Sequence, residues 1–145
     1  MKLGVMYWHI FGVTSIGSIA DIRSKSVPVW FLAAACAGVI PAAFADKAVP
    51  VTARVFGAAI GVLFLAVGLL SKESVGRGDA VMIGISGAAL GFFTLSLILC
   101  VSFFLLAIVS LGLIVIRKLG RKDRIPFFPF LAAGELVVAV LLLWT

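Results

Sequence analysis

The feature that most constrains the fold of this chain is a series of apolar runs that fills nearly its whole length. Hydrophobic residues make up 63% of the 145 residues, whereas roughly 45–50% is typical of a water-soluble domain. A helix needs ~20 apolar residues to cross the ~30 Å hydrocarbon core of a bilayer. The runs cover residues 3–20, 28–45, 51–70, 80–91, 92–116 and 127–144. They predict an all-α, polytopic membrane protein with about six transmembrane helices and exclude an ordinary soluble domain.

The fourth run, residues 80–91, is short for a membrane crossing and rich in glycine. We expect it either to enter the bilayer incompletely or to merge with the fifth helix through a bend near Gly91. The first run loosely resembles a signal peptide, but we expect it to be retained as the first helix. The length predicts that residues 1–145 form a single transmembrane domain.

The basic residues lie between the apolar runs, which argues against a nucleic-acid partner. Loops richer in Lys and Arg face the cytoplasm. Nine of the twelve basic residues follow the first, third and fifth runs: Arg23, Lys25, Lys72, Arg77, Arg117, Lys118, Arg121, Lys122 and Arg124. The opposite side holds Lys2, Lys47 and Arg54. This distribution predicts an inner (plasma) membrane protein with its N-terminus outside, and residues 117–124 are typical of a loop that binds anionic membrane lipid.

Two aspartates stand at the ends of apolar runs in a chain with only six acidic residues. Asp21 follows the first run and Asp79 precedes the fourth, so two predicted crossings place both at the cytoplasmic boundary. A charged residue in the bilayer core costs roughly 2.5–3.5 kcal/mol on insertion scales, so such residues usually have a function. Two neighbouring carboxylates share a proton, so one can take a proton from water while the other polarises a carbonyl. This chemistry needs no metal and no cofactor.

Each aspartate also has a simpler structural interpretation. Asp79 could be the N-cap of the fourth helix, a position that suits aspartate. Asp21 could be a helix-end residue paired with Arg23 or Lys25. The aspartates become informative mainly as a pair, because both are predicted on one face of the membrane.

Three segments occur in order along the chain: residues 21–29 (DIRSKSVPV), 76–79 (GRGD) and 124–131 (RIPFFPFL). Together they resemble the type IV prepilin peptidase family, which includes the archaeal preflagellin peptidases. In that family, Asp-x-Arg-x-x-x-Ile-Pro-Asn follows the first core helix, Gly-x-Gly-Asp opens the fourth, and Ile-Pro-Phe-x-Pro-Phe leads into the last. The resemblance covers nearly the whole chain.

The resemblance implies an aspartic-type endopeptidase with Asp21 and Asp79 as its catalytic dyad. Its substrates would be pilin, pseudopilin or flagellin-like precursors, cut at the cytoplasmic membrane face to remove a short leader. The site-shaping residues would be Gly76, Gly78, Arg23 and Pro28. The glycines permit unusual backbone angles and a close approach to the helix start, and proline suits the start of a helix.

Some features depart from the family pattern. Val29 stands where the family usually has asparagine. The larger bacterial members carry an N-terminal region with paired CxxC motifs and also N-methylate the product. The sequence lacks these motifs, and Cys36 and Cys100 lie inside apolar runs. We therefore expect a minimal peptidase without methyltransferase activity and without bound metal.

Glu135 lies about nine residues into the last run, ~13 Å below the cytoplasmic edge. At that depth we expect it not to join the dyad, but to be hydrogen-bonded inside the bundle or to line a substrate groove. Two other functions remain consistent with the residues. One is a small proton-coupled membrane transporter that uses Glu135, and the other is a non-catalytic pilin assembly factor.

Overall fold

The computed structural model describes residues 4–24, 29–45, 47–70, 76–116 and 126–144, and the regular elements in these ranges are all α-helices. They are α1 (Val5–Ser24), α2 (Val29–Ala45), α3 (Val51–Leu70), α4 (Arg77–Val115) and α5 (Phe128–Trp144). The predicted all-α architecture is therefore confirmed.

The helix α4 joins the predicted helix 80–91 directly to residues 92–115 of the predicted helix 92–116, with Gly91 at the junction. This residue has φ 80° and ψ 169°, which interrupts the helical geometry and produces a kink. Glycine tolerates a positive φ, and a Cβ built at this position would lie only 2.8 Å from Val49. The predicted bend is confirmed, and the described ranges contain five helices rather than six. The number of membrane crossings stays a prediction.

The outer surface of the bundle is apolar. Large hydrophobic side chains such as Leu70, Phe93 and Trp144 are 84%, 78% and 89% exposed. Contiguous apolar surface of this kind is a liability in water and suits contact with lipid. Both α3 and α4 are long and apolar enough to cross a membrane.

The central helix of the bundle is α4, which contacts each of the other four helices. The buried residues of α3 are three glycines and Arg54. Gly57 faces Gly87, and Gly61 faces Gly84, so closely that a methyl group on Gly57 or Gly61 would overlap the backbone of α4. Small residues let membrane helices approach in this way. The first half of α4, which carries Asp79 in its first turn, is thus held directly against α3.

Candidate active site

Asp79 lies in the first turn of α4 and folds back towards the residue that precedes the helix. The N-cap is Gly76 and Asp79 is the third helical residue, so the N-cap interpretation of Asp79 is wrong. A Cβ built on Gly76 would lie 2.6 Å from Oδ2 of Asp79. Gly76 therefore leaves the space that this carboxylate occupies.

Asp21 lies in the last turn of α1 and is only 8% exposed. Its carboxylate accepts a hydrogen bond from the backbone N–H of Phe128, the first residue of α5. The first amides of a helix have no partner within the helix and favour a nearby negative charge. The alternative pairing of Asp21 with Arg23 or Lys25 involves side chains outside the described part of the chain.

Gly17 contributes to the candidate site, although the sequence motifs do not include it. A Cβ built on Gly17 would lie 2.7 Å from Cε1 of Phe128, so only glycine lets this ring pack against α1. Gly17 precedes Asp21 by four residues, which places both on one face of the helix. The four-residue spacing is visible in the sequence, but the Phe128 ring that packs against Gly17 lies on α5, which is remote in sequence.

The structure brings the two predicted aspartates to the same end of the bundle. The Asp21 carboxylate is close enough for its negative charge to repel that of Asp79. Asp21 is buried and Asp79 is half-buried, so water screens this repulsion only in part. The ionisation of Asp79 therefore depends on the charge of Asp21.

The remaining site-shaping predictions are only partly covered by the structure. Gly78 is the second residue of α4 and is half-buried. Pro28 and the side chain of Arg23 lie outside the described residues. In the described ranges, no three His, Cys, Asp or Glu side chains lie together as a metal site would require, and the predicted absence of a metal remains untested.

Glu135 is fully buried where α5 packs against α1. Oγ1 of Thr14 donates a hydrogen bond to Oε1 of Glu135 at 3.0 Å, and the Tyr7 hydroxyl donates to the Glu135 backbone carbonyl. In the described part of the chain, Oε2 has no hydrogen-bond partner. Thr14 precedes Asp21 by seven residues, or ~10 Å along α1. Glu135 therefore lies about two turns deeper than Asp21.

A groove of about 310 Å³ lies between α2, α3 and α4 and is almost entirely apolar. It runs along α4 from Ala80, the residue after Asp79, to Ala88. Gly61 and Gly84 are among its lining residues, whereas Glu135 is not. The groove thus starts beside one of the two aspartates.

Comparison with known proteins identifies the family. The sequence profile of the type IV leader peptidase family matches residues 8–116, which include both aspartates. The chain belongs to this family. The prepilin leader peptidase/N-methyltransferase of Aeromonas salmonicida (strain A449) is 37% identical over 102 residues, 66% of this chain and 34% of that protein. The protein of the same name from Aeromonas hydrophila is 36% identical over 76 residues, 52% of this chain and 25% of that protein.

The chain spans about a third of the length of the A. salmonicida relative and a quarter of the A. hydrophila one. No solved structure shows a significant match. The segment 124–131 lies beyond the residues that match the type IV leader peptidase profile. Even so, Phe128 in this segment contacts Asp21, so the third sequence motif contributes a residue to the candidate site.

Proposed function

We propose that this protein is an aspartic-type endopeptidase that removes the leader peptide from type IV prepilin-like precursors, with Asp21 and Asp79 as the catalytic pair. The proximity of these carboxylates, which come from α1 and α4, is the observation that carries the proposal. Membership of the type IV leader peptidase family and the names of the two relatives support the reaction and the substrate class.

In the proposed mechanism, the two carboxylates share one proton. The Phe128 N–H donates to Asp21, so we assign the ionised role to Asp21 and the protonated role to Asp79. Asp21 takes a proton from water as the water oxygen bonds to the scissile carbonyl carbon, and Asp79 donates its proton to the carbonyl oxygen. When the tetrahedral intermediate collapses, the C–N bond breaks. The leaving nitrogen receives the proton from Asp21, and Asp79 recovers its own from the intermediate.

The proposed substrate is a single-span precursor whose short basic leader precedes a hydrophobic helix. The apolar surface of the bundle suits such a helix. The distribution of basic residues supports an orientation with the N-terminus outside and the site at the cytoplasmic face of the inner membrane. A precursor bound there would present its leader junction to the carboxylates at the membrane boundary.

The decisive experiment is a leader-cleavage assay with a purified prepilin-like precursor and the full chain in lipid. We expect Asp21→Asn and Asp79→Asn each to lower kcat at least about a thousandfold, because either change removes a proton-transfer group. Glu135→Gln is the matched control, since it makes the same acid-to-amide change away from the pair. Cleavage by either aspartate variant at the original rate would refute the assignment.

The two alternatives from the sequence predict different results. A proton-coupled transporter predicts that Glu135→Gln abolishes transport while both aspartates tolerate replacement. A non-catalytic assembly factor predicts that the unmodified protein binds the precursor without cutting it. Measuring precursor binding and cleavage on the same samples separates these cases.

A further inference from the structure

Arg54 is a charged residue buried in the apolar interior of the bundle. It lies in the first turn of α3 and is only 9% exposed. A guanidinium group out of water needs acceptors for its N–H groups. Nε of Arg54 donates to the carbonyl of Val49 at 3.2 Å, and Nη1 donates to the carbonyls of Ala88 at 3.3 Å and Ala89 at 3.1 Å.

The two α4 carbonyls that Arg54 binds are among those whose helical hydrogen bonds would span the kink. In an α-helix, each N–H bonds to the carbonyl four residues earlier. The bonds that span Gly91 would be accepted by the carbonyls of residues 88, 89 and 90, and the non-helical angles of Gly91 disturb the regular geometry of these bonds. Arg54 therefore supplies side-chain donors to two carbonyls at the point where the helical geometry is disturbed. Its positive charge also stands at the C-terminal end of residues 77–90, where a helix favours a cation.

Residues 77–90, here called the Asp79 segment, are tied to α3 at several points. Gly57 and Gly61 hold the segment close to α3, and Arg54 binds its last turn. Val49 accepts a hydrogen bond from Arg54 and also packs where a Cβ on Gly91 would stand. Residues at and just before the start of α3 thus pack against the kink.

We propose that Arg54 is a positioning residue that maintains the kink at Gly91 and thereby places Asp79 beside Asp21. The catalytic consequence rests on the proposed peptidase function, whereas the kink can be measured without it. Removal of Arg54 takes its N–H donors away from the carbonyls of Ala88 and Ala89 in apolar surroundings, which is unfavourable. A return of Gly91 to helical angles gives both carbonyls regular helical bonds, straightens α4 and moves the Asp79 segment relative to α1.

The kink is tested by the distance between the two ends of α4 in the full chain in lipid nanodiscs. Nitroxide labels are attached through Arg77→Cys and Leu111→Cys, with Cys36 and Cys100 replaced by alanine, and read by double electron–electron resonance. A straight helix would separate these Cα atoms by ~51 Å, and the kinked helix by less. We expect Arg54→Leu to lengthen the distance, Arg54→Lys to lengthen it less, and Gly91→Ala to repeat the effect.

Cleavage kinetics on unlabelled protein provide the second readout. We expect Arg54→Leu to lower kcat by about tenfold or more, because the reacting carboxylates move apart. KM should change less than about threefold, because the apolar surface proposed to bind the substrate stays in place. Lys47→Leu is the matched control, since it removes an exposed positive charge near the same end of α3. Its label distance and kcat should match those of the unmodified protein.

An unchanged label distance in Arg54→Leu overturns the proposal, whatever the change in kcat. A longer distance with unchanged kcat also overturns it. If Arg54→Leu does not fold, Arg54→Lys and Gly91→Ala decide the question by the same two measurements. If the unmodified protein cuts no precursor, the proposed function fails, while the label distance still decides whether Arg54 maintains the kink.

Discussion

The carboxylate of Asp21 accepts the backbone N–H of Phe128 and so joins the end of α1 to the start of α5. The other residues in the first turn of α5 have no backbone N–H left to bind Asp21. Pro129 has no N–H, and the amides of Phe130 and Leu131 donate to the carbonyl of Phe127 at 2.9 and 3.0 Å. Asp21 therefore accepts the remaining backbone N–H of this turn, that of Phe128. In this way a segment that contains proline can orient an aspartate.

Gly17→Ala tests whether this contact matters for activity. The added methyl would lie 2.7 Å from the Phe128 ring and displace the start of α5 from Asp21. We expect kcat for precursor cleavage to fall by on the order of tenfold to a hundredfold, since small misplacements of reacting groups are costly. Gly12→Ala is the matched control on the same helix, because a Cβ there meets nothing within 4 Å. Equal activity in the two variants would show that the Phe128 contact is dispensable.

Gly76→Ala tests the space beside the second aspartate. The new Cβ would lie 2.6 Å from Oδ2 of Asp79, so the carboxylate must turn away. We expect at least about a tenfold loss of kcat with the protein still folded, because one proton-transfer group is misplaced. Gly112→Ala, also in α4, adds a methyl in open space and should retain full activity. Circular dichroism and cleavage rates on both variants make the comparison.

The helices, the bend at Gly91 and the location of Asp21 and Asp79 at one end of the bundle were predictable from sequence, because each depends on apolar run length, glycine or chain topology. The structural roles of Gly17 and Arg54 were not. By sequence, Arg54 counts among the basic residues that set the orientation of the chain in the membrane. In the structure it is buried against carbonyls of α4. Those carbonyls become available only because Gly91 interrupts a different helix, and no local pattern in the sequence reports such a contact.

The pH dependence of cleavage tests the shared proton. With Asp21 and Asp79 within range of mutual repulsion, only the singly protonated pair contains both a base and an acid. We expect kcat/KM to pass through a maximum, falling at low pH when both are protonated and at high pH when both are ionised. Circular dichroism across the same range controls for unfolding. A profile without one of the two limbs would contradict the proposed mechanism.

The contact between Gly61 and Gly84 is asymmetric, and this predicts opposite effects of the same substitution. A methyl on Gly61 would overlap the backbone of Gly84, whereas a methyl on Gly84 meets Cα of Gly61 at an ordinary 3.5 Å. We expect Gly61→Ala to lower the free energy of unfolding by about 1–3 kcal/mol, as overpacking does. Gly84→Ala should be neutral or stabilising, since alanine favours helix over glycine by about 1 kcal/mol. Unfolding in mixed micelles measures both, and equal losses would mean that α3 and α4 do not pack as described. Because α3 holds the segment that carries Asp79, the less stable variant should also be the less active one.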